Sequence, residues 1–219
     1  FKQEGETLYS LPGSPFGGFD FSADVTPDLL SRFLDALTQG EDLKDFNQIV
    51  ARTPPQCYNP AKWAIQHEAF NLAGFTQKII DINYHLEVSG HTFRERLHHS
   101  ENRCLNIAEK ENWQFKRIDP DQYLTQAYTL FEEAKSIKGY PMSLNYMELA
   151  RMYKEFPKNY LLFGVFREGI LIAASTSIVV NKDVIYDFYH GDSINLRQKS
   201  PVVFLLKGVF DYAKSQGLA

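Results

Sequence analysis

Two neighbouring stretches near the end of the chain carry the residue types that chemistry needs. Tyr186, Asp187, Phe188, Tyr189, His190 and Asp192 close a strand-like run. Asp187 and His190 are candidates to accept a proton, and Tyr189 to donate one. Period-two alternation predicts Asp187 and Tyr189 on one face of the strand, with Tyr186, Phe188 and His190 on the other. The competing reading for each is a packed ring or a satisfied polar group at a strand end. The run Arg197-Gln198-Lys199-Ser200-Pro201-Val202 follows, and leads into an apolar helical pattern that stops at Gly217. A basic loop against a helix start can hold an anion, because the first N–H groups of a helix lack partners and carry partial positive charge. Pro201 removes one of those donors. Arg197 and Lys199 would then supply most of the binding through their side chains, with folding nearly indifferent to their loss.

Other residue groups argue for less. Arg94, Arg96, His98, His99, Arg103 and Lys110 mark one face of a predicted helix, where they could meet phosphates, but Glu95, Glu101, Glu109 and Glu111 interleave with them. That pattern reads as a solvated face. Adjacent histidines on a helix diverge, so His98 and His99 do not form a metal pair. Cys104 falls in the apolar stripe and reads as a small buried hydrophobe, while Cys57 lies in a loop with no base nearby in sequence.

Elements must position these groups. The chain has 219 residues, 44% of them hydrophobic and 14% aromatic, enough for a buried core in one large or two small domains. A net charge of −4 excludes a nucleic-acid-type basic excess over the whole chain. Two cysteines do not make a disulfide framework, and no apolar run is long enough to span a membrane.

The first ten residues read as the end of a strand or a hairpin, with Gly5 at the turn. Thr26-Pro27 opens a helix with Leu29, Leu30, Phe33, Leu34 and Leu37 on one face, closed by Gly40. "DFNQIVART" reads as a strand, Asn59-Pro60 opens a second helix, and "QKIIDINYHLEV" alternates as a further strand. A single helix is predicted from Gly90 to Trp113, started by a Thr92–Glu95 capping box. After Asp119-Pro120 come two helices, three strands at hairpin spacing and the terminal helix.

The segments Tyr9–Gly40 and Tyr186–Gly217 both read as strand, polar loop, helix and Gly stop. At the offset that pairs Tyr9 with Tyr186, Leu29 meets Leu206, Phe33 meets Phe210 and Ala36 meets Ala213. This predicts an internal repeat. A strand follows the helix in the first copy, so a strand beyond Ala219, pairing beside "VIYDFYHG", is expected in the second.

A helix pair, an antiparallel meander, a loop and a helix resemble the GNAT acyltransferase fold, and two such units in tandem resemble its FemABX-like branch. The residues that carry the resemblance are "SPFGGF", "FRERLHHSENRCLNIAEKENWQF", "KGYPMS" and "LLFGVFREGILIAASTSIVVNKDVIYDFYHGD". The resemblance implies an α/β (α+β) fold of two GNAT-like halves, residues 1–118 and 119–219. Each half would be a mixed, largely antiparallel sheet flanked by helices, the first incomplete at its N-terminus and the second at its C-terminus.

The resemblance also implies a bacterial, cytoplasmic transferase. It would move an activated acyl or aminoacyl group onto an amine by direct attack, with no tightly bound cofactor. The partners would be a donor, acyl-coenzyme A as co-substrate or aminoacyl-tRNA, and an amine acceptor, without DNA or a membrane span. Asp187 or His190 would be the base and Tyr189 the acid, while Arg197, Gln198, Lys199, Ser200 and Val202 would hold the donor. The family loop is Gln/Arg-x-x-Gly-x-Gly/Ala. Here the glycines are absent, which suits the FemABX-like branch better than a coenzyme A cradle. The rival reading is a non-catalytic binding or scaffold protein that keeps the fold without the cofactor loop.

Overall fold

The structure is a computed structural model that describes residues 2–4, 6–10, 15–43 and 46–218. The expected turn at Gly5 lies outside them. The chain divides into two compact units, 1–85 and 86–219. Residues 86–118 thus belong with the second unit, whereas the sequence reading ended the first half at residue 118.

In the first unit, β1 (Lys2–Glu4) runs antiparallel to β2 (Thr7–Tyr9), and β2 runs parallel to β3 (Gln48–Val50). A parallel pair needs a crossover, and α1 (Pro27–Gln39) supplies it. The Thr26 hydroxyl accepts from Leu29 N–H, and Pro27 suits the first helical position. α2 (Pro60–Leu72) is capped in the same way by Asn59, which accepts from Lys62 N–H at 3.0 Å. Leu30 and Leu34 of α1 pack against Ala69 of α2, with Phe19, Phe21 and Val25 around them.

The expected strand "QKIIDINYHLEV" is not formed: residues 75–88 carry no helix or strand. Ile80, Ile82 and Tyr84 are 75%, 79% and 93% exposed. Alternation makes a strand only where a neighbour takes its N–H and C=O groups, and no described segment does so.

The second unit contains the order that the helix-pair resemblance implied. Its elements are α3 (His99–Ala108), β4 (Gln114–Ile118), α4 (Pro120–Ile137) and α5 (Tyr146–Glu155), then β5 (Tyr160–Arg167), β6 (Ile170–Val179), β7 (Ile185–Asp192) and α6 (Pro201–Ser215). The four strands form an antiparallel sheet in the order β4-β5-β6-β7. The β5–β6 turn holds Glu168 at φ 52° and Gly169 at φ 81°, the left-handed pair that a tight hairpin needs. Helices cover both faces. Leu124, Ala127 and Phe131 of α4, with Leu149 of α5, pack on Leu162, Ala174 and Tyr189. Leu205 and Val209 of α6 pack on Leu161, Phe163 and Val165 of the opposite face. Each such fully buried Leu or Phe stabilises the fold by about 1.5–3 kcal/mol before entropy is counted.

The single helix predicted over Gly90–Trp113 is broken. A 3-10 turn at Phe93–Arg96 carries the predicted capping box, then Leu97 is extended and α3 starts at His99. The Asn102 side chain donates to the carbonyls of Arg94 and Leu97, which satisfies the break. Phe93 and Leu105 both reach the same core as Phe210, and the kink lets them do so.

Both proposed repeat segments are strand–loop–helix, but their burial is out of step with the sequence identities. Phe33 is 50% exposed, while its counterpart Phe210 is 5% exposed. The buried faces pair Leu30 with Leu205 and Leu34 with Val209, a register shifted by two residues. The repeat alignment read from identities is therefore not the alignment of packing.

Candidate active site on the last strand

The first correction concerns which side chains share a face. β6 pairs with β7 as Ser175↔His190 and Thr176↔Tyr189, then slips to Ser177↔Asp187. Phe188 is left without a partner on β6. A bulge of this kind sends two consecutive side chains to one side. Asp187 therefore shares a face with His190, and not with Tyr189 as plain alternation predicted.

The result is a hydrogen-bonded chain. His190 Nδ1 lies 2.5 Å from Asp187 Oδ2, and Ser175 Oγ donates to Asp187 Oδ1 at 2.6 Å. Ser175 and Ser177 are 3.0 Å apart and fully buried. A carboxylate only accepts, so His190 must donate from Nδ1 and Ser175 must spend its proton on Asp187. Ser177 then donates to Ser175. Neutral His190 consequently carries its free lone pair on Nε2. Its side chain is 40% exposed, against 25% for Asp187. Ser175 is not a nucleophile in waiting: it is buried, and its hydroxyl props the carboxylate. The sequence reading missed Ser175 and Ser177. Their signal was the polar run Ser175-Thr176-Ser177 inside an otherwise apolar strand.

Tyr189 sits on the other face. It is 2% exposed and packs on Phe131 and Phe188. Its hydroxyl accepts from Leu144 N–H at 3.0 Å and is hydrogen-bonded to Ser143 Oγ. Tyr128 donates to the Leu144 carbonyl, so two tyrosines pin the α4–α5 connection. This hydroxyl braces a loop and is not presented to a substrate as the sequence reading had it. Thr176, opposite Tyr189, accepts from Tyr153 at 2.9 Å, and burial pushes the Tyr153 phenol well above its usual range.

The loop candidates are also largely engaged. Residues Ile194–Lys199 form a 3-10 turn, and Ser200 takes a left-handed conformation, φ 58° and ψ 55°, before Pro201 begins α6. Arg197 donates to Asp192 Oδ1 from Nε at 3.2 Å and Nη2 at 3.1 Å. Lys199 Nζ meets Glu111 Oε1 at 2.7 Å. The Ser200 N–H goes to the Arg197 carbonyl, while Gln198 is exposed and Val202 supplies the first N–H of α6. Both loop cations therefore already hold a carboxylate, and Asp192 is buried, with 6% of its side chain exposed. The expectation that the loop charges are free does not hold.

The basic helix face is neutralised in part: Arg94 pairs with Glu109, and Arg96 with Glu87. Cys104 is half-buried rather than buried, as is Cys57. Two cavities of this unit lie elsewhere than the Asp187–His190 pair. One of about 690 Å³ runs along β4, and one of about 310 Å³ lies between Phe115 and α6. No helix among the described residues is long and apolar enough to cross a membrane.

No family model and no curated protein matches this sequence. Among solved structures, the chain is similar to one titled "Crystal structure of FemX", with a TM-score of 0.49 and 12% identity. The match covers 57% of this chain and 47% of that one, so this chain spans about half the length of the FemX structure. Likeness at that level does not transfer a reaction.

Proposed function

We propose that the protein is an N-acyl- or aminoacyl-transferase that joins an activated acyl group to an amine by direct attack. The observation that carries this reading is the Asp187–His190 pair, whose histidine side chain is 40% exposed on a strand at the sheet edge. The acceptor nitrogen would attack the donor's carbonyl carbon and pass its proton to His190 Nε2. The C–S or C–O bond to the leaving group then breaks, and the proton moves on to the departing thiolate or alkoxide. Asp187 keeps the ring oriented and stabilises the imidazolium while it exists. N–H groups on the outer edge of β7, which no described strand occupies, are placed to meet a carbonyl oxygen as it gains charge. A correctly placed base of this kind supplies about 10²–10⁴ in rate.

The second reading, a binding or scaffold protein of the same fold, has its own observation. Arg197 and Lys199 are paired with carboxylates, which weakens the loop as a phosphate holder. One experiment separates the two. The protein is incubated with acyl-coenzyme A or charged tRNA and a panel of amines, and amide product is sought by mass spectrometry. Product from either donor supports the transferase and names the donor class. Absence of product with both, alongside measurable binding of an amine or donor, favours the scaffold.

A further inference from the structure

The opposite edge of the second unit's sheet carries a different kind of site. β4 pairs only with β5 among the described residues, so half of its backbone N–H and C=O groups point away from the sheet. A groove of about 690 Å³ lies beside β4 and is lined by its Gln114, Lys116, Arg117 and Ile118. Tyr123 and Phe166, in edge-to-face contact at 5.4 Å, give it an aromatic wall.

Its charges are not balanced. Two of its three acids hold cations, Glu111 with Lys199 and Glu168 at 3.9 Å from Arg167, while Asp119 caps α4 by accepting from Asp121 N–H and keeps its charge. Lys110, Lys116 and Arg117 are exposed and have no carboxylate partner among the described residues, although Lys116 lies 5.6 Å from the Phe166 ring centre. Trp113 also lines the groove. It is 8% exposed, and its buried indole N–H has no acceptor. A buried donor without a partner costs about 1–3 kcal/mol.

We infer that this groove binds an acidic peptide segment in extended form, added to the sheet as a strand beside β4. The backbone edge offers alternating donors and acceptors at the spacing of a peptide chain. Lys116 and Arg117 are consecutive on β4 and face opposite sides of the sheet, so they select carboxylate side chains at neighbouring positions of that peptide. Nucleic acid fits less well, because it has no backbone amides to pair with the edge. The site is separate from the Asp187–His190 pair, and its failure would leave the transferase reading untouched.

The test uses a Trp63→Phe variant, in which Trp113 is the one remaining tryptophan. A fluorescein-labelled nonapeptide of repeating glutamate-glutamate-threonine, which places glutamates on both faces of an extended strand, is titrated, with polarisation and Trp113 emission as readouts. Saturable binding is expected, weakened by at least about tenfold in Lys116→Glu/Arg117→Glu. These two side chains are exposed, so the variant should keep the wild-type melting temperature. Amide hydrogen exchange should slow at residues 114–118. The same peptide N-methylated at alternate backbone amides should bind at least about tenfold more weakly, because it cannot pair along one edge. The inference is overturned by absence of binding, by equal binding of the methylated peptide, by unchanged exchange over β4, or by an RNA oligonucleotide of equal charge that competes as well as the peptide.

Discussion

Asp187 and Asp192 lie on the same strand and the same face, and each holds a basic side chain, yet they leave different things behind. Asp187 is 25% exposed and takes one N–H from His190, whose side chain is 40% exposed. Asp192 is 6% exposed and takes two N–H groups from Arg197, which has no proton to exchange near neutral pH. The first pair can move a proton. The second braces the turn into α6. Residue type alone does not separate the two. Partner, burial and what remains unpaired do.

The largest expected effect on stability tests the bracing side of this contrast. A Cβ at Gly191, between the two pairs, would lie 2.2 Å from the Leu130 carbonyl oxygen and 2.6 Å from its carbon. Those are backbone atoms of α4 that no side-chain rotation can clear. Gly191→Ala should lower the unfolding free energy by about 3 kcal/mol or more, measured by urea denaturation. Next comes Arg197→Ala, which leaves Asp192 unpaired and should cost about 2–3 kcal/mol. Adding Asp192→Asn should recover part of that loss. If the double variant is less stable than the sum of the singles, the pair is not the brace described here. Tyr189→Phe removes the hydroxyl that holds Ser143 and Leu144, and should cost about 1–2 kcal/mol in the same measurement. Lys199→Ala loses a part-exposed ion pair and should fall under about 1 kcal/mol.

A pH measurement sharpens the same contrast on the packed face. The Tyr153 phenol is raised by burial, so the folded state holds its proton where the unfolded chain has released it. Its contribution is fully present below the unfolded value near 10 and is lost as pH rises from there through the folded value. Tyr153→Phe should reduce the alkaline fall in stability by about 1.4 kcal/mol per pH unit in that window.

Much of the second unit was legible in the sequence, because its signals are local. Asp119-Pro120 starts a helix, Glu168-Gly169 turns a hairpin, and apolar runs mark the three long strands. What was not legible depends on pairing at a distance. The slip at Phe188 changes which side chains meet, and nothing near residue 188 announces it. Only its partners Thr176 and Ser177 on β6 reveal it. Arg197 and Lys199 read as free cations because Glu111, the partner of Lys199, lies far away in sequence, and because the burial of Asp192 is a property of the packed sheet. The alternation of Ile80, Ile82 and Tyr84 misled for the same reason in reverse: the pattern is present, but no described strand pairs with it.

The most direct test of the central claim is the rate of amide formation in His190→Gln beside wild type, with the donor and amine that give product. Glutamine keeps a hydrogen-bonding side chain beside Asp187 and removes the basic Nε2. The expected result is a loss of about 10²–10⁴ in kcat with an unchanged melting temperature. A variant that turns over within about twofold of wild type would contradict a proton-accepting role for His190.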